Sequence, residues 1–405
     1  MRFVTTLLAL IFLTTPVAAL EAVEKDHATE SVKAYRTVPV NISFLPYEGW
    51  GGKNEDVISW FALNILAGST AKLHGFAVGG LANIATEEMK GVQIGGLANV
   101  VGDNAWGGQI SGLANVVGED ASGVQVGGLA NVIGKSARVI QFGGLANIAG
   151  ESLTGMQTGG FANIVGEQAH GIQTSAFANV VGSHMRGIQI SGFANVVGDT
   201  MQGLQISGFA NVANHSSGIQ IAPFNAAGTS DGIPIGLYSR VMDTPVRTRV
   251  WTDETRFVNF GLKSGNSRFH NTVIIAVQPE QFRDPARWAL GAGVGFKMGY
   301  DPIFADISAY HMHINEDEWW TTKTNSLSKL QATVGFRISP RLALIGGLSW
   351  NVFVSTKTDG SDFAPWSAWR NKDVQVRINE YGDIIGYVPG TFVRMWPGVH
   401  IGLEF

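Results

Sequence analysis

No cysteine occurs among the 405 residues. Disulfides, zinc-thiolate sites and cysteine nucleophiles are therefore excluded, and an exported form would be held by packing and hydrogen bonding alone. Charge is scarce as well: 28 basic and 32 acidic residues make up 15% of the chain and leave a formal charge of −4 with no basic run. Nucleic acid needs a clustered positive face, so it is excluded as a partner. Beyond the N-terminus no apolar stretch reaches membrane-helix length without interruption by Gly and polar residues. A mature chain that meets a membrane would do so as strands.

The N-terminus is the exception. MRFVTTLLALIFLTTPVAA carries one charge at Arg2, an apolar stretch from Val4 to Leu13, and small residues at Val17 and Ala19. This pattern reads as a secretory signal peptide over residues 1–19, cut near Ala19. The alternative, an uncleaved anchor, needs roughly 20 apolar residues, more than this run supplies. Residues 20–57 follow as a polar segment with a lead-in strand.

A sixteen-residue sentence then repeats. GVQIGGLANVVGDNAW (91–106) is followed by GGQISGLANVVGEDAS and further variants, with Asn at 83, 99, 115, 131, 147, 163, 179, 195 and 211 and Gln in step from Gln93 to Gln205. Each unit runs Gly, aliphatic, Gln, Ile/Val/Thr, Gly/Ser, Gly, Leu/Phe, Ala, Asn, Val/Ile, Val/Ile/Ala, Gly, and then four free positions. Degenerate units around Asn64 and Asn225 extend the array to residues 58–235. Such regularity marks a repeat architecture.

Alternating β-branched residues, no Pro inside the units and Gly at each boundary predict two short strands per unit rather than helices. Between residues 91 and 217 the charged residues are Asp103, Glu119, Asp120, Lys135, Arg138, Glu151, Glu167, Arg186 and Asp199, all within the free positions. Those four positions read as a solvent-facing turn. Invariant Asn and Gln are expected where identical side chains stack about 4.8 Å apart, because amides can then bond along the stack. The rival arrangement makes 91–102 one membrane-length strand of a single large barrel. Successive barrel strands run antiparallel, so like residues would not meet, and Trp106 is the only Trp or Tyr within the regular repeats.

From residue 236 to 405 the repeat stops and aromatics and charges return. LQATVGFRISPRLALIGGLSWNVFV (330–354) sets Leu330, Ala332, Val334, Phe336 and Ile338 on one face, turns at Ser339, Pro340 and Arg341, and resumes with Leu342, Leu344, Leu348, Trp350 and Val352. In the terminal MWPGVHIGLEF, Val399, Ile401, Leu403 and Phe405 alternate with Gly398, His400, Gly402 and Glu404. Apolar outside against more polar inside predicts an antiparallel outer-membrane-type barrel, with a soluble sheet as the alternative. The terminal Phe resembles the signal by which bacterial outer-membrane barrels are passed to their assembly machinery. The stretches 315–325 and 355–369 read as longer loops.

PVNISFLPYEGWGG, FALNILAG, the GxQxxxxxN units, GIPIGLYSR and MWPGVHIGLEF occur in an order that resembles the bacterial surface-repeat proteins, over most of the mature chain. That resemblance implies surface location rather than a particular activity. Sixteen-residue units carrying GGLAN depart from the shorter units expected of the family.

Catalytic chemistry finds little purchase. In YHMHINEDEWW, His311 and His313 lie two apart with Glu316, Asp317 and Glu318 beyond, a set that could bind a divalent metal, or else a strand end entering an acidic loop. His215 beside Ser216 and Ser217 lies in the turn of the last regular unit. The glycines lack the strand-to-helix setting of a phosphate cradle. Trp319, Trp320, Trp366 and Trp369 could stack on a glycan or anchor a barrel rim. No catalytic, cofactor-binding or metal residue is assigned. The expectation is an all-β chain, a repeat solenoid followed by a barrel, with a non-catalytic structural or binding role in the outer membrane or at the cell surface of a Gram-negative-type bacterium. Its expected partners are outer-membrane lipid, the barrel-assembly machinery, and a glycan or protein ligand of unspecified identity. A transport barrel and a surface hydrolase or metal-binding protein are the competing readings.

Overall fold

Sixteen residues return the chain to its starting point, one strand spacing further on. In the computed structural model, which describes residues 33–46, 48–49, 52–278, 287–300, 302–316, 318–356, 369–370, 374–378, 384–389 and 392–405, each regular coil holds two strands, such as Ala98–Val101 and Ala105–Ser111. They pair in parallel and in register with the next coil, Asn99 opposite Asn115 and Gln109 opposite Gln125. The repeat is therefore a parallel β-solenoid of about 12 turns, and the single-barrel arrangement is not adopted. Parallel pairing already starts at Arg36–Leu45 against Val57–Asn64, inside the segment read as a lead-in.

Like side chains meet because the strands are parallel. Asn83 donates to Asn99 Oδ1 and Asn99 to Asn115 Oδ1, both at 2.9 Å, and the chain of bonds continues through Asn131, Asn147, Asn163 and Asn179 to Asn195. The second amide hydrogen reaches a carbonyl of the following coil, from Asn99 to Ile110 O at 2.8 Å and from Asn131 to Phe142 O at 2.8 Å. A second ladder links Gln93, Gln109, Gln125, Gln141, Gln157, Gln173 and Gln189. These amides are buried and bonded, as a dry interior requires.

One position departs from the sequence reading. The four free positions are not all turn: the third is interior, and its occupants Ala105, Ala121, Ala137, Leu153, Ala169, Met185 and Met201 are buried. Apolar residues of varying size suffice there because the position is filled by packing rather than by a directional bond. Glycine is demanded in the next coil segment. Gly107 and Gly123 have φ near +127° and +134°, and a Cβ on Gly107 would fall 1.9 Å from the carbonyl oxygen of Gly91. Where the sequence has Val139 instead, the strand runs regularly from Ser136 to Gly143 and the valine side chain is buried.

The chain divides into two compact units between Asp199 and Thr200. The second holds the closing coils and the barrel. Its coils shorten to fourteen residues, Asn211 standing opposite Asn225 and Asn225 opposite Ser239, and the last coil strand is Tyr238–Val241. Eight antiparallel strands follow: β1 Arg247–Asp253, β2 Val258–Gly265, β3 Phe269–Val277, β4 Trp288–Tyr300, β5 Ile303–Asn315, β6 Asn325–Ser339, β7 Leu342–Ser355 and β8 Phe392–Glu404. β8 pairs with both β7 and β1, which closes the barrel. Phe405 N donates to Thr248 O at 2.7 Å and Phe405 O accepts from Thr248 N at 3.1 Å, so Phe405 belongs to the seam.

Candidate functional site

Period-two alternation sends every second barrel residue into the lumen. On the outer face Leu330, Val334, Phe336 and Ile338 of β6, Leu344, Leu348 and Trp350 of β7, and Val399, Ile401 and Leu403 of β8 are exposed, as the sequence alternation predicts. The residues between them turn inward, with the charged Arg337 and Glu404 buried beside Gln331, Thr333, Ser349 and His400.

Asp306 of β5 and Glu404 of β8 form the centre of one group. Asp306 Oδ2 accepts from Lys263, from His270 Nε2 at 2.9 Å and from Arg249 Nη2 at 3.4 Å. Glu404 accepts from Arg249 at 2.9 Å and from Arg337 at 3.3 Å, with Arg247 Nε 3.8 Å away. Further along the lumen Asp253 pairs with Lys329 and accepts from Thr255. Glu254 accepts from Asn351 at 2.8 Å, Trp396 Nε1 at 3.1 Å and the Val399 amide at 3.1 Å. Near the other rim Glu316 pairs with Arg287 and accepts from Asn325 at 3.2 Å, while Arg287 also donates to Gln278 at 2.7 Å. Each carboxylate is bonded to several donors, the condition under which burying it is tolerable.

Between these groups lie Trp251, Phe304, Tyr310, Met312, Phe353 and Trp396, all buried. Eight strands leave an interior just wide enough for side chains, and here side chains fill it. A cavity of about 230 Å³ remains near Arg247, Lys263, His270 and Glu404. That is below the roughly 300–1,000 Å³ of ordinary ligand pockets, and Arg247, Lys263 and His270 on its wall already face Asp306 or Glu404.

The metal candidate is taken apart by strand geometry. His311 and His313 share the outer face of β5; His311 meets Ser328 Oγ at 3.0 Å, and His313 meets Thr321 O at 2.9 Å and Trp320 at 5.0 Å between ring centroids. Glu316 instead lies buried against Arg287. Asp317 lies outside the described residues, as does Trp366. Among the described residues no group of three His, Asp or Glu side chains converges as a metal site. His215 bonds Thr229 at 2.7 Å and faces Asp231 at 3.7 Å, whereas Ser217 donates to Met201 O at 3.3 Å, so the two form no catalytic pair. Trp319 is 83% exposed and tilts against Trp288 at 5.5 Å between ring centroids.

Sequence reasoning missed the junction residue Asn271. From β3 its side chain donates to Ser239 Oγ at 2.6 Å and to Pro234 O at 2.9 Å, and its Oδ1 accepts from Gly236 N at 3.0 Å. Ser239 is the rung after Asn225, which donates to it at 3.3 Å. A barrel asparagine thus ends the solenoid ladder. Its spacing from Asn225 breaks the period, so periodicity could not reveal it. The chain matches no family model, no curated protein and no solved structure.

Proposed function

We propose that the chain is a non-catalytic outer-membrane or cell-surface repeat protein, anchored by its barrel and offering the solenoid as a structural or binding surface. The observation that carries this reading is the inverted polarity of β1–β8. Ion pairs such as Arg249 with Glu404 point inward, while Leu330, Val334, Leu348, Val399 and Ile401 point outward. Bilayer hydrocarbon is the surrounding that stabilises this arrangement, and a closed strand set leaves no unpaired backbone edge within it. The signal-like pattern of residues 1–19 agrees with export.

A pore reading has less support, since Arg249, Lys263, Asp306 and Glu404 bridge one another across the lumen. Hydrolysis would need an acid, base or nucleophile free to act, and the lumen carboxylates are each engaged by cations or amides. Fractionation of cells making the full chain tests the proposal. We expect recovery from the outer-membrane fraction in a heat-modifiable form; recovery as soluble periplasmic protein would overturn it. Changing both His311 and His313 to alanine is expected to alter neither folding nor metal content.

A further inference from the structure

In water a solenoid turns its apolar residues inward. Coils 91–199 do much of the reverse. The amides Gln93, Asn99 and their equivalents are buried, whereas three outward rows of each coil are apolar. One row is Leu97, Leu113, Leu129 and Leu145, between 43% and 50% exposed, continued by the stacked rings of Phe161, Phe177 and Phe193. A second is Ile94, Ile110, Val126, Phe142 and Ile190, and a third includes Val124, Ile140 and Ile172, all exposed. Together these rows leave an apolar area on the order of 1,000 Å², above the roughly 300–600 Å² of the largest patch on a typical soluble monomer.

Most of the charge is sorted to the turn at the first two free positions, while Arg138 and Arg186, at the fourth, stand on strands whose outward face also carries Ile140 and Ile190. Asp103, Glu119, Asp120, Lys135, Arg138, Glu151, Glu167, Arg186 and Asp199 share the free positions. They pair along the stack, Lys135 with Glu119 at 3.1 Å and His184 with Asp199 at 3.3 Å. From this sorting we infer that the solenoid flank bearing Leu97, Leu129 and Ile140 is itself a lipid-contacting surface, immersed in one leaflet with the charged turn in the headgroup layer.

Three features favour lipid as the occupant. The rows are aliphatic or Phe, with Thr158 and Thr174 as the polar members, so they offer a partner protein few directional contacts. The amide ladders use the interior Asn and Gln side chains on one another, which is what a hydrocarbon surrounding demands of amides, and leave only small hydroxyls in these coils, such as those of Ser111 and Ser191, buried without a partner. The charged turn runs along the whole stack, so a stack standing across the bilayer would drag those charges through the hydrocarbon. Lying along the surface immerses the apolar rows and leaves the charges wet, the geometry of an interfacial amphipathic helix. The inference concerns these coils alone and stands independently of the barrel's role.

The cysteine-free chain allows single labels. Leu129→Cys and Ile140→Cys on the apolar rows, Glu151→Cys on the charged turn and Leu330→Cys on the barrel would each carry an environment-sensitive fluorophore. The full chain would be placed in phosphatidylcholine and phosphatidylglycerol vesicles containing lipid with a nitroxide on the acyl chain. We expect at least twofold stronger quenching at 129 and 140 than at 151. Equal quenching at the three sites would overturn the inference. A blue-shifted, unquenched signal at 129 and 140 would also overturn it, because it would mean that a second copy covers the face. Quenching at 330 reads the barrel separately, so failure of the anchor and failure of the solenoid surface are distinguished.

Discussion

The side-chain amide of Asn99 donates forward to Asn115 Oδ1 at 2.9 Å, toward the following coil. In the same coils Gln109 donates backward to Gln93 Oε1 at 3.0 Å. The two ladders keep these opposite directions along their length, so their aligned amide dipoles oppose each other rather than add. Each chain of bonds polarises its own members, and the pair leaves little net dipole in a poorly solvated interior.

Breaking one rung strands the amides on either side. Asn131→Leu deprives Asn115 of its acceptor and Asn147 of its donor, since Asn115 donates to Asn131 and Asn131 to Asn147, both at 2.8 Å. The expected loss is about 1–3 kcal/mol for each buried group left unpaired. On the exposed strand face Arg138→Gln should change stability by no more than about 0.5 kcal/mol. Denaturant midpoints of the two variants check the contrast.

The first coils carry a pH-sensitive clamp. Lys33 Nζ lies 2.6 Å from Glu87 Oε1, Tyr35 donates to Glu87 Oε2 at 2.5 Å and Lys72 is 3.8 Å away. Partial burial works to raise the Glu87 pKa, but the bonds from Lys33 and Tyr35 and the nearby cations outweigh it and hold the carboxyl below its ordinary 4.5. A depressed carboxyl stabilises the fold fully above that ordinary value and ceases to do so as pH falls through the lower folded one. Protection of the amides in Arg36–Leu45 from hydrogen exchange should therefore fall on acidification, and Glu87→Gln should remove that dependence. The Tyr35 hydroxyl, pushed up to about 12 by its bond to Glu87, should titrate nearer 10 in the same variant, as read by phenolate absorbance.

Inside and outside of the barrel should respond to opposite changes. Asp306→Ala takes from Lys263 and Arg249 one of the two carboxylates they share, leaving Glu404, and removing one partner of a buried ion pair costs about 3–5 kcal/mol. Leu348→Arg puts a charge on the exposed apolar face and should cost about 2–4 kcal/mol if that position sits near the bilayer midplane. Unfolding from vesicles, followed by heat-modifiable gel mobility, measures both. A neutral Leu348→Arg would mean that this face meets water.

The parallel solenoid was legible because Asn and Gln recur at one step, and only parallel stacking makes identical amides neighbours. The barrel was legible in β6–β8, where Leu330 to Ile338 and Val399 to Phe405 alternate cleanly. Lumen partners were not. Arg249 and Glu404 lie 155 residues apart, and closure of β1 on β8, which no local pattern encodes, brings them to 2.9 Å. The interior third free position escaped for a related reason, since Ala105, Leu153 and Met185 share burial but not chemistry. His311, His313 and Glu316 are close in sequence, yet strand alternation puts the histidines and the carboxylate on opposite faces.

Removing one whole unit, residues 115–130, tests the stacking itself. After the deletion Asn131 would follow Ala114 and could accept from Asn99 as Asn115 does, and Gln141 could donate to Gln109 as Gln125 does. Every later coil keeps its register, so the expected product is a folded chain shorter by one strand spacing of about 4.8 Å. Deleting only residues 115–122 would instead set interior rows against exterior ones and should prevent folding. Small-angle scattering and denaturant unfolding of the two variants separate these outcomes. Misassembly of the sixteen-residue deletion would mean that the coils are not interchangeable, and that something other than the amide ladders and the shared coil geometry specifies their order.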